Sequence, residues 1–236
     1  MFNKWSQYSY RTQKKNRYKA VKFLIVFFIL FIIYNCLTVF FFSVWVVDND
    51  TMQPGLNKGD RLIFNSFKPF WSKDNPQLFD RGSVVLVDIR NENTAGIPIR
   101  VLDGIVRFFT AQRISIFSGS DQYYIKRVIA LPGDEISMQN YVFRVKPAGS
   151  SFSLTEYELS KDPYHPAIPL VSSLWNESIP FSGSMDTIIL GPDECFVISD
   201  DRGNTNDSRA WGAIHPSSIK ARAVLRFWPL NKIGFL

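Results

Sequence analysis

Cysteine and histidine are scarce in this chain, which has two of each in 236 residues. Two cysteines exclude a small secreted domain held together by several disulfides, and we expect Cys36 and Cys195 to stay unpaired. The usual nucleophilic triads need a histidine, but His165 and His215 both lie beside prolines with no evident nucleophile nearby. Metal sites are also poorly supplied. Acyl-transfer chemistry in this chain would therefore have to use a hydroxyl activated by a lysine.

Acidic residues are absent from residues 1–22, which contain seven lysines and arginines. These seven belong to a total of 27, so residues 23–236 hold 20 positive against 21 negative charges. The formal net charge of +6 is therefore a property of the N-terminal tail. A nucleic-acid-binding domain would have its positive charge on a folded surface, so this distribution instead favours a signal for membrane topology.

Charged residues are also missing from residues 23–47, an apolar run of 25 residues. As a helix it would extend about 37 Å at ~1.5 Å per residue, enough to cross a hydrocarbon core of about 30 Å with some tilt. The cations precede the run and Asp48 and Asp50 follow it, which predicts a cytoplasmic tail at 1–22 and an external domain at 48–236. A cleavable signal peptide would have a shorter apolar region of about 7 to 15 residues.

Short segments rich in valine, isoleucine and phenylalanine recur after the apolar run, between turn-forming residues. The predicted strands are residues 61–64, 83–89, 123–130, 141–145, 187–190, 195–199 and 221–228. This spacing predicts a mainly β protein, with an all-β sandwich or barrel after the membrane helix. Residues 99–109 instead have apolar side chains at helical spacing, and that helix could lie on a membrane surface or pack on the β core. Phe67, Phe70 and Trp71 could likewise face lipid or fill a core.

A lysine lies within the apolar segment 123–130, whose sequence is Tyr-Tyr-Ile-Lys-Arg-Val-Ile-Ala and continues as Leu-Pro-Gly-Asp. Successive side chains of a strand point to opposite faces, so one of Lys126 and Arg127 can be buried. Burial lowers the pKa of an amine from its usual value of about 10.4, and a neutral lysine can activate a hydroxyl. A lone lysine in a strand is usually a surface residue, so this interpretation depends on neighbouring motifs.

Three segments in a fixed order accompany this interpretation. Residues 51–56 (Thr-Met-Gln-Pro-Gly-Leu) follow the apolar run, the lysine-bearing strand comes next, and residues 199–212 (Ser-Asp-Asp-Arg-Gly-Asn-Thr-Asn-Asp-Ser-Arg-Ala-Trp-Gly) come last. Together they resemble the type I signal peptidases, which have Ser-Met-x-Pro-Thr-Leu, Tyr-x-Lys-Arg-x-x-x-x-Pro-Gly-Asp and Gly-Asp-Asn-Arg-x-Asn-Ser-x-Asp-Ser-Arg-x-Trp-Gly boxes. Arg81-Gly82 and residues 226–230 (Arg-Phe-Trp-Pro-Leu) are also similar, so the resemblance covers nearly all of residues 48–236.

The resemblance implies a membrane-anchored endopeptidase that removes signal peptides through a dyad of Thr51 and Lys126. It implies four supporting residues, of which the first helps to hold the oxyanion: Asn49, Thr205, Asp207 and Arg209. It also implies shallow apolar subsites, although the same side chains could equally be ordinary core: Met52, Leu56, Tyr124 and Ile125. No cofactor and no metal is implied.

The same resemblance implies the place and the partners of the protein. We expect a single-pass protein of the bacterial cytoplasmic membrane, with the catalytic domain on the extracytoplasmic side. Its partners would be the lipid bilayer and exported preproteins with small residues at the minus-one and minus-three positions. Thr51 lies four residues after the apolar run, at most about 14 Å of extended chain from the membrane surface. That position suits substrates that emerge from the membrane.

The chain departs from the family pattern at several positions of the site. Thr51 stands where the family has its serine nucleophile, and its extra methyl restricts χ1 and crowds the line of attack. Asn49 replaces a serine that helps to hold the oxyanion, and its amide could donate the same hydrogen bond. Thr205 replaces the serine that orients the lysine. The opening glycine of the last box is Ser199, and an acidic residue in it is Gly203.

Two other functions are compatible with parts of this pattern. A catalytically silent paralogue could act as a membrane-tethered binding module for signal peptides, and Thr51 is the residue that discriminates it from an enzyme. A nucleic-acid binder would use the basic tail, but the neutral remainder of the chain offers no further positive patch, so we expect no nucleic-acid partner. Retention of a lysine with its hydroxyl partner favours the enzyme.

Overall fold

The protein is described by a computed structural model that covers residues 3–40, 42–66, 79–89, 102, 105–106, 123–169 and 183–236. The chain divides into two compact units, one of residues 1–40 and 95–117 and one of residues 41–94 and 118–236. Most of the predicted helix 99–109 lies outside the described residues, as do Phe67, Phe70 and Trp71. Within that segment, residues 102 and 105–106 are helical.

The first unit contains a long helix, α1 (Asn3–Phe40), which includes most of the basic tail and residues 23–40 of the apolar run. Apart from the half-buried Phe31, the large apolar side chains between residues 23 and 33 are exposed by 47 to 71%. Among the described residues, no helix has the length and apolarity needed for a membrane crossing, so the predicted membrane helix is not supported.

The predicted end of that helix at residue 47 is wrong. Helix α1 ends at Phe40, and Phe42–Val46 forms strand β1, which pairs antiparallel with the strand Arg61–Ser66. The segment Phe-Ser-Val-Trp-Val is rich in aromatic and β-branched residues, which favour a strand. An apolar run alone does not distinguish a buried helix from a strand, so the sequence pattern did not mark the change.

The second unit is mainly β, as predicted, and its strand pairs are antiparallel. Among the described residues its larger sheet has seven strands in the order β1-β2-β10-β3-β4-β9, with β11 beside β10. These strands are β1 (Phe42–Val46), β2 (Arg61–Ser66), β3 (Val84–Asp88), β4 (Tyr123–Ala130), β9 (Phe196–Ile198), β10 (Ile219–Trp228) and β11 (Gly234–Phe235). The smaller sheet has the order β7-β6-β5-β8, formed by β5 (Glu135–Gln139), β6 (Val142–Lys146), β7 (Leu154–Thr155) and β8 (Met185–Ile189).

Short helices connect the strands of this unit. Helix α2 (Glu156–Leu159) begins with a capping box in which Thr155 and Glu158 satisfy each other's backbone N–H groups. Helix α3 (Ser208–Trp211) is capped by Asp207, whose side chain accepts from the Arg209 N–H. Two 3₁₀ turns, Pro216–Ser218 and Leu230–Lys232, flank β10.

The larger sheet is covered on both faces around β3. All five residues of β3 are buried, and alternate side chains enter different clusters. Val84 and Leu86 join one apolar cluster, whereas Val85 and Val87 join another. A strand that is covered on both faces has apolar side chains at successive positions, as residues 84–87 do here. Lys126 lies in β4, between the fully buried β3 and the edge strand β9.

Candidate active site

Thr51 begins the turn that follows β1, and its backbone is tied to the segment of the third motif. Its carbonyl oxygen accepts a hydrogen bond of 3.0 Å from the Asp201 N–H. Its hydroxyl donates to Asn49 Oδ1 at 2.7 Å, and its own N–H donates to the same oxygen at 3.3 Å. The side chain is 8% exposed, so it is the least enclosed part of the candidate dyad.

Asn49 meets Thr51 with its amide oxygen, whereas the resemblance implies that its amide N–H group donates to an oxyanion. The oxygen has to face Thr51 because a backbone N–H can only donate. In this arrangement the oxygen occupies the place where a developing oxyanion would accept from the Thr51 N–H. Asn49 therefore covers both donors of Thr51, and its predicted oxyanion role stays a prediction.

Lys126 lies in β4, where its register partner is Val85 of β3. The side chain is completely buried. Its Nζ donates to Ser199 Oγ at 2.8 Å and lies 5.9 Å from the ring centroid of Tyr124 and 5.6 Å from that of Trp211. The centroids of the two rings are 5.1 Å apart, and the ring planes are tilted by 56°. Aromatic faces attract a cation and exclude water, so the amine has a dry but polarisable surrounding.

Burial lowers the pKa of Lys126 from its ordinary value of 10.5 to about 8. Removal from water disfavours the ammonium form, and this effect exceeds the attraction of the Asp207 carboxylate. The Arg209 guanidinium adds a smaller repulsion in the same direction as burial. With such a pKa, roughly a tenth of the lysine is neutral at pH 7, compared with less than about a thousandth for an unperturbed lysine.

The segment 199–201 connects the two predicted catalytic residues. Its first residue bonds to the Lys126 amine through the side chain, and its last bonds to the Thr51 carbonyl through the backbone. Two residues span at most about 7 Å of extended chain, so Thr51 and Lys126 lie at neighbouring positions around this segment. Among the described residues, no hydrogen bond joins the Thr51 hydroxyl directly to the Lys126 amine, since each has another partner.

Asp207 and Arg209 hold the segment in place from the third motif. Arg209 Nε and Nη2 donate to the two Asp207 oxygens at 2.9 and 2.7 Å. Asp207 Oδ2 also accepts from the Ser199 N–H at 2.9 Å. Burial alone would raise the pKa of Asp207, but the bond with Arg209 holds that pKa below its ordinary value. Asp207 and Arg209 therefore form a buried ion pair, in which the carboxylate also bonds to the backbone of Ser199.

A second ion pair fixes the same segment on the other face of β4. Arg127 Nε and Nη2 donate to the two Asp200 oxygens at 2.8 and 2.6 Å. Arg127 Nη1 also donates to the Gly82 carbonyl at 2.6 Å. Both side chains are nearly inaccessible, with 9 and 1% exposed. Lys126 and Arg127 thus hold two successive residues of the segment, as expected for side chains on opposite faces of a strand.

The hydroxyl that contacts Lys126 belongs to Ser199, whereas the resemblance assigns that role to Thr205. Thr205 is half-buried, and its carbonyl accepts from the Asp207 N–H at 2.8 Å. In the described part of the chain no hydrogen bond joins the Thr205 side chain to Lys126. Sequence reasoning missed Ser199 because the family motif has a glycine there, with no side chain to which a role is assigned. The one indication in the sequence was that a residue with a hydroxyl group replaces this glycine.

Three of the four predicted subsite residues lie in the hydrophobic core. Met52, Leu56 and Ile125 are 0, 1 and 8% exposed and share one apolar cluster. Tyr124 is half-buried, two residues from Lys126 and on the same face of β4. Sequence analysis left open whether these three side chains line a subsite or belong to the core, and the structure places them in the core. Tyr124 remains the candidate for substrate contact.

The described residues contain no group of three His, Cys, Asp or Glu side chains that could hold a metal ion. Cys195 is free and completely buried, and burial raises the pKa of its thiol to about 12. His215 caps a 3₁₀ turn, where its Nδ1 accepts from the Ser217 N–H at 3.1 Å. Within the part of the chain that the structure describes, no hydrogen bond joins Cys195 or His215 to Thr51, Lys126 or Ser199.

A comparison with protein families gives a match over residues 20–228 to the family described as "Signal peptidase, peptidase S26". The match therefore includes the apolar helix, the three motifs and almost the whole β unit. All of the residues that surround Lys126 lie within it.

Curated relatives span nearly the same length. The chain is 23% identical to Signal peptidase I P of Bacillus subtilis subsp. natto over 222 residues, which is 94% of this chain and 96% of the relative. It is 28% identical to Probable signal peptidase I-1 of Synechocystis sp. over 194 residues, or 80 and 73%. It is 24% identical to Inactive signal peptidase IA of Staphylococcus aureus (strain COL) over 216 residues, or 91 and 95%.

Proposed function

Because the chain belongs to the signal peptidase family, peptidase S26, we propose that it is a membrane-anchored endopeptidase that removes signal peptides from exported preproteins. Two of the relatives described above are named as signal peptidases without the word inactive. The proposed substrates have small residues at the minus-one and minus-three positions, as the family's motifs imply. The observation that supports the proposal most strongly is the completely buried Lys126, with its pKa lowered to about 8, beside the segment that holds Thr51.

In the proposed mechanism neutral Lys126 removes the proton of the Thr51 hydroxyl as Oγ1 attacks the scissile carbonyl carbon. The C–N bond of the tetrahedral intermediate then breaks, and the lysine gives its proton to the leaving amine. Water, deprotonated by the same amine, hydrolyses the acyl-threonine ester and regenerates both groups. The Thr51 N–H stabilises the oxyanion, and Asp207 with Arg209 keeps the segment 199–201 in position.

The resting contacts of Thr51 require one rearrangement before attack. Its hydroxyl now donates to Asn49 Oδ1, so this hydrogen bond has to break before the hydroxyl can donate to Lys126. A substrate carbonyl would displace the Asn49 oxygen from the Thr51 N–H, which at 3.3 Å is the longer of the two bonds. Asn49 lies in an exposed bend, so its side chain has room to leave. Substrate binding would thereby free the nucleophile.

Replacement of Thr51 by serine tests this proposal. We expect detergent-purified wild-type protein to cut a precursor with an Ala-x-Ala site, and Thr51→Ser to cut it faster, because the serine lacks the methyl that restricts χ1. Gel analysis of the precursor and mature product measures the rate, and mass spectrometry locates the cut. Thr51→Ala sets the background, and failure of both wild type and Thr51→Ser to exceed it would contradict the proposal.

A second candidate function is a catalytically silent binding module for signal peptides. Two observations favour it: Asn49 covers both donors of Thr51, and one relative of nearly the same length is named an inactive signal peptidase. The same experiment separates the two functions. Cleavage by Thr51→Ser but not by the wild type would favour the silent module.

We also propose that the apolar part of α1 anchors the protein, with residues 1–22 in the cytoplasm. The supports are the exposed apolar side chains between residues 23 and 33 and the seven cations that precede them. Alkaline carbonate extraction of bacterial membranes should leave the wild type in the pellet. Two arginines at Ile29 and Leu30 should release it, because each costs about 2.5 to 3.5 kcal/mol at a helix centre. Arginines at the exposed Ile189 and Ile233 are the matched control, and a soluble wild type would contradict the anchor.

A further inference from the structure

The Lys126 amine has a hydroxyl neighbour at a position where the family motif has none. Its hydrogen bond to Ser199 Oγ is 2.8 Å long, and both side chains are completely buried. A serine hydroxyl can accept a bond from an ammonium group or donate one to the lone pair of a neutral amine. The same hydroxyl can therefore hold the amine in both protonation states of a catalytic cycle.

The segment that carries this hydroxyl is held in place by its surroundings. Ser199 directly follows β9, and its N–H bonds to Asp207 Oδ2 at 2.9 Å. Its neighbour Asp200 forms two bonds with Arg127, and Asp201 is bonded to the Thr51 carbonyl. Because all three residues of the segment 199–201 are held by hydrogen bonds, Ser199 is part of the same fixed segment that supports Thr51. This is the requirement for a group that sets the distance between a base and a nucleophile.

We infer that Ser199 is the positioning residue that holds Lys126 for proton transfer, in the place that the family pattern gives to Thr205. This inference rests on the proposed function, since it concerns the base of the same reaction. Thr205 does not bond to Lys126 through its side chain in the described residues, whereas Ser199 does. The chain thus keeps a hydroxyl on the lysine but supplies it from six residues earlier in the motif.

Kinetics of Ser199→Ala and Ser199→Gly test the inference. We expect kcat for precursor cleavage to fall about 10- to 100-fold with KM within about twofold, because a hydrogen bond to a charged group is lost while substrate contacts remain. Thr205→Ala should lose less than either. Cooperative thermal unfolding shows whether each variant is folded. If Ser199→Ala is not folded, Ser199→Gly provides the test, because glycine is the residue that the family motif has at this position.

Titration of Lys126 supplies a measurement that does not require activity. Protein labelled with ¹³C and ¹⁵N on lysine gives the Lys126 signal by NMR, assigned by its loss in Lys126→Arg. The Ser199 hydroxyl stabilises the ammonium form of Lys126 more than the neutral amine. Its removal should therefore lower the pKa of Lys126 by about one unit. Ser208→Ala is the matched control, because that buried hydroxyl bonds to the Val197 N–H at 3.1 Å and not to the lysine.

These measurements separate the inference from the proposed function. An unchanged kcat together with an unshifted Lys126 titration in Ser199→Ala and Ser199→Gly would overturn the inference, as would a greater loss in Thr205→Ala. The same shift in Ser208→Ala would also overturn it, since a general loosening of the motif would then explain the result. If the wild type cuts no precursor, the proposed function fails, and the titration alone decides the role of Ser199.

Discussion

Replacing Lys126 with alanine is expected to lower precursor cleavage by about a thousandfold, within the range that a general base supplies. The neighbouring Arg127 cannot replace it as the base, because its guanidinium group is bonded to Asp200. Lys126→Met, which keeps the length of the apolar stem, should show the same loss with less effect on packing. The rate is measured on detergent-purified protein at fixed substrate concentration.

The pH dependence of the wild type follows from the same residue. Only neutral lysine accepts a proton, and its pKa is about 8, so the rate should rise about tenfold per pH unit below 8 and level off above it. The residual rate of Lys126→Met should lack this rise. Lys146→Ala is the control, since Lys146 lies at the surface and pairs with Glu135 at 3.2 Å. Full cleavage by the Lys126 variants, or a flat wild-type profile, would contradict the role of the lysine.

Much of the β unit could be predicted from sequence because its strands alternate with strong turn signals. All seven predicted strands are present with ends displaced by a few residues, for instance 61–64 against Arg61–Ser66. The strand Glu135–Gln139 was missed although its buried and exposed residues alternate. Phe42–Val46 was missed because it continues the apolar run of the helix, and composition alone does not separate the two.

The site was only partly predictable, because motifs identify residue types but not their partners. The matching motifs indicated Lys126, Asp207 and Arg209; the structure buries Lys126 and pairs Asp207 with Arg209, and the catalytic roles of the three stay predictions. Ser199 could not be inferred from a motif that has glycine at its position. The burial of Met52 could not be predicted either, because an apolar side chain beside a nucleophile fits a core as well as a subsite.

Replacing Asp200 with alanine is expected to lower the free energy of unfolding by about 3 to 5 kcal/mol, because it leaves the Arg127 guanidinium buried without its counter-ion. The bonds that disappear are the two from Arg127 Nε and Nη2, at 2.8 and 2.6 Å. The lost pair also fixes the residue between Ser199 and Asp201, so cleavage should fall as well. Chemical denaturation in detergent solution, followed by tryptophan fluorescence, measures the stability.

The matched control is Asp80→Ala. Asp80 pairs with Lys161 at 2.7 Å, but their side chains are 39 and 71% exposed, so the change should cost less than about 1 kcal/mol. Replacing both members of the buried pair, as Arg127→Leu with Asp200→Leu, should destabilise less than Asp200→Ala, because no unpaired charge remains in the core. Equal losses in Asp200→Ala and Asp80→Ala would mean that Arg127 finds water or another acceptor when its partner is removed. In that case the segment 199–201 would have to be held mainly by Asp207, whose bond to the Ser199 N–H is independent of Arg127.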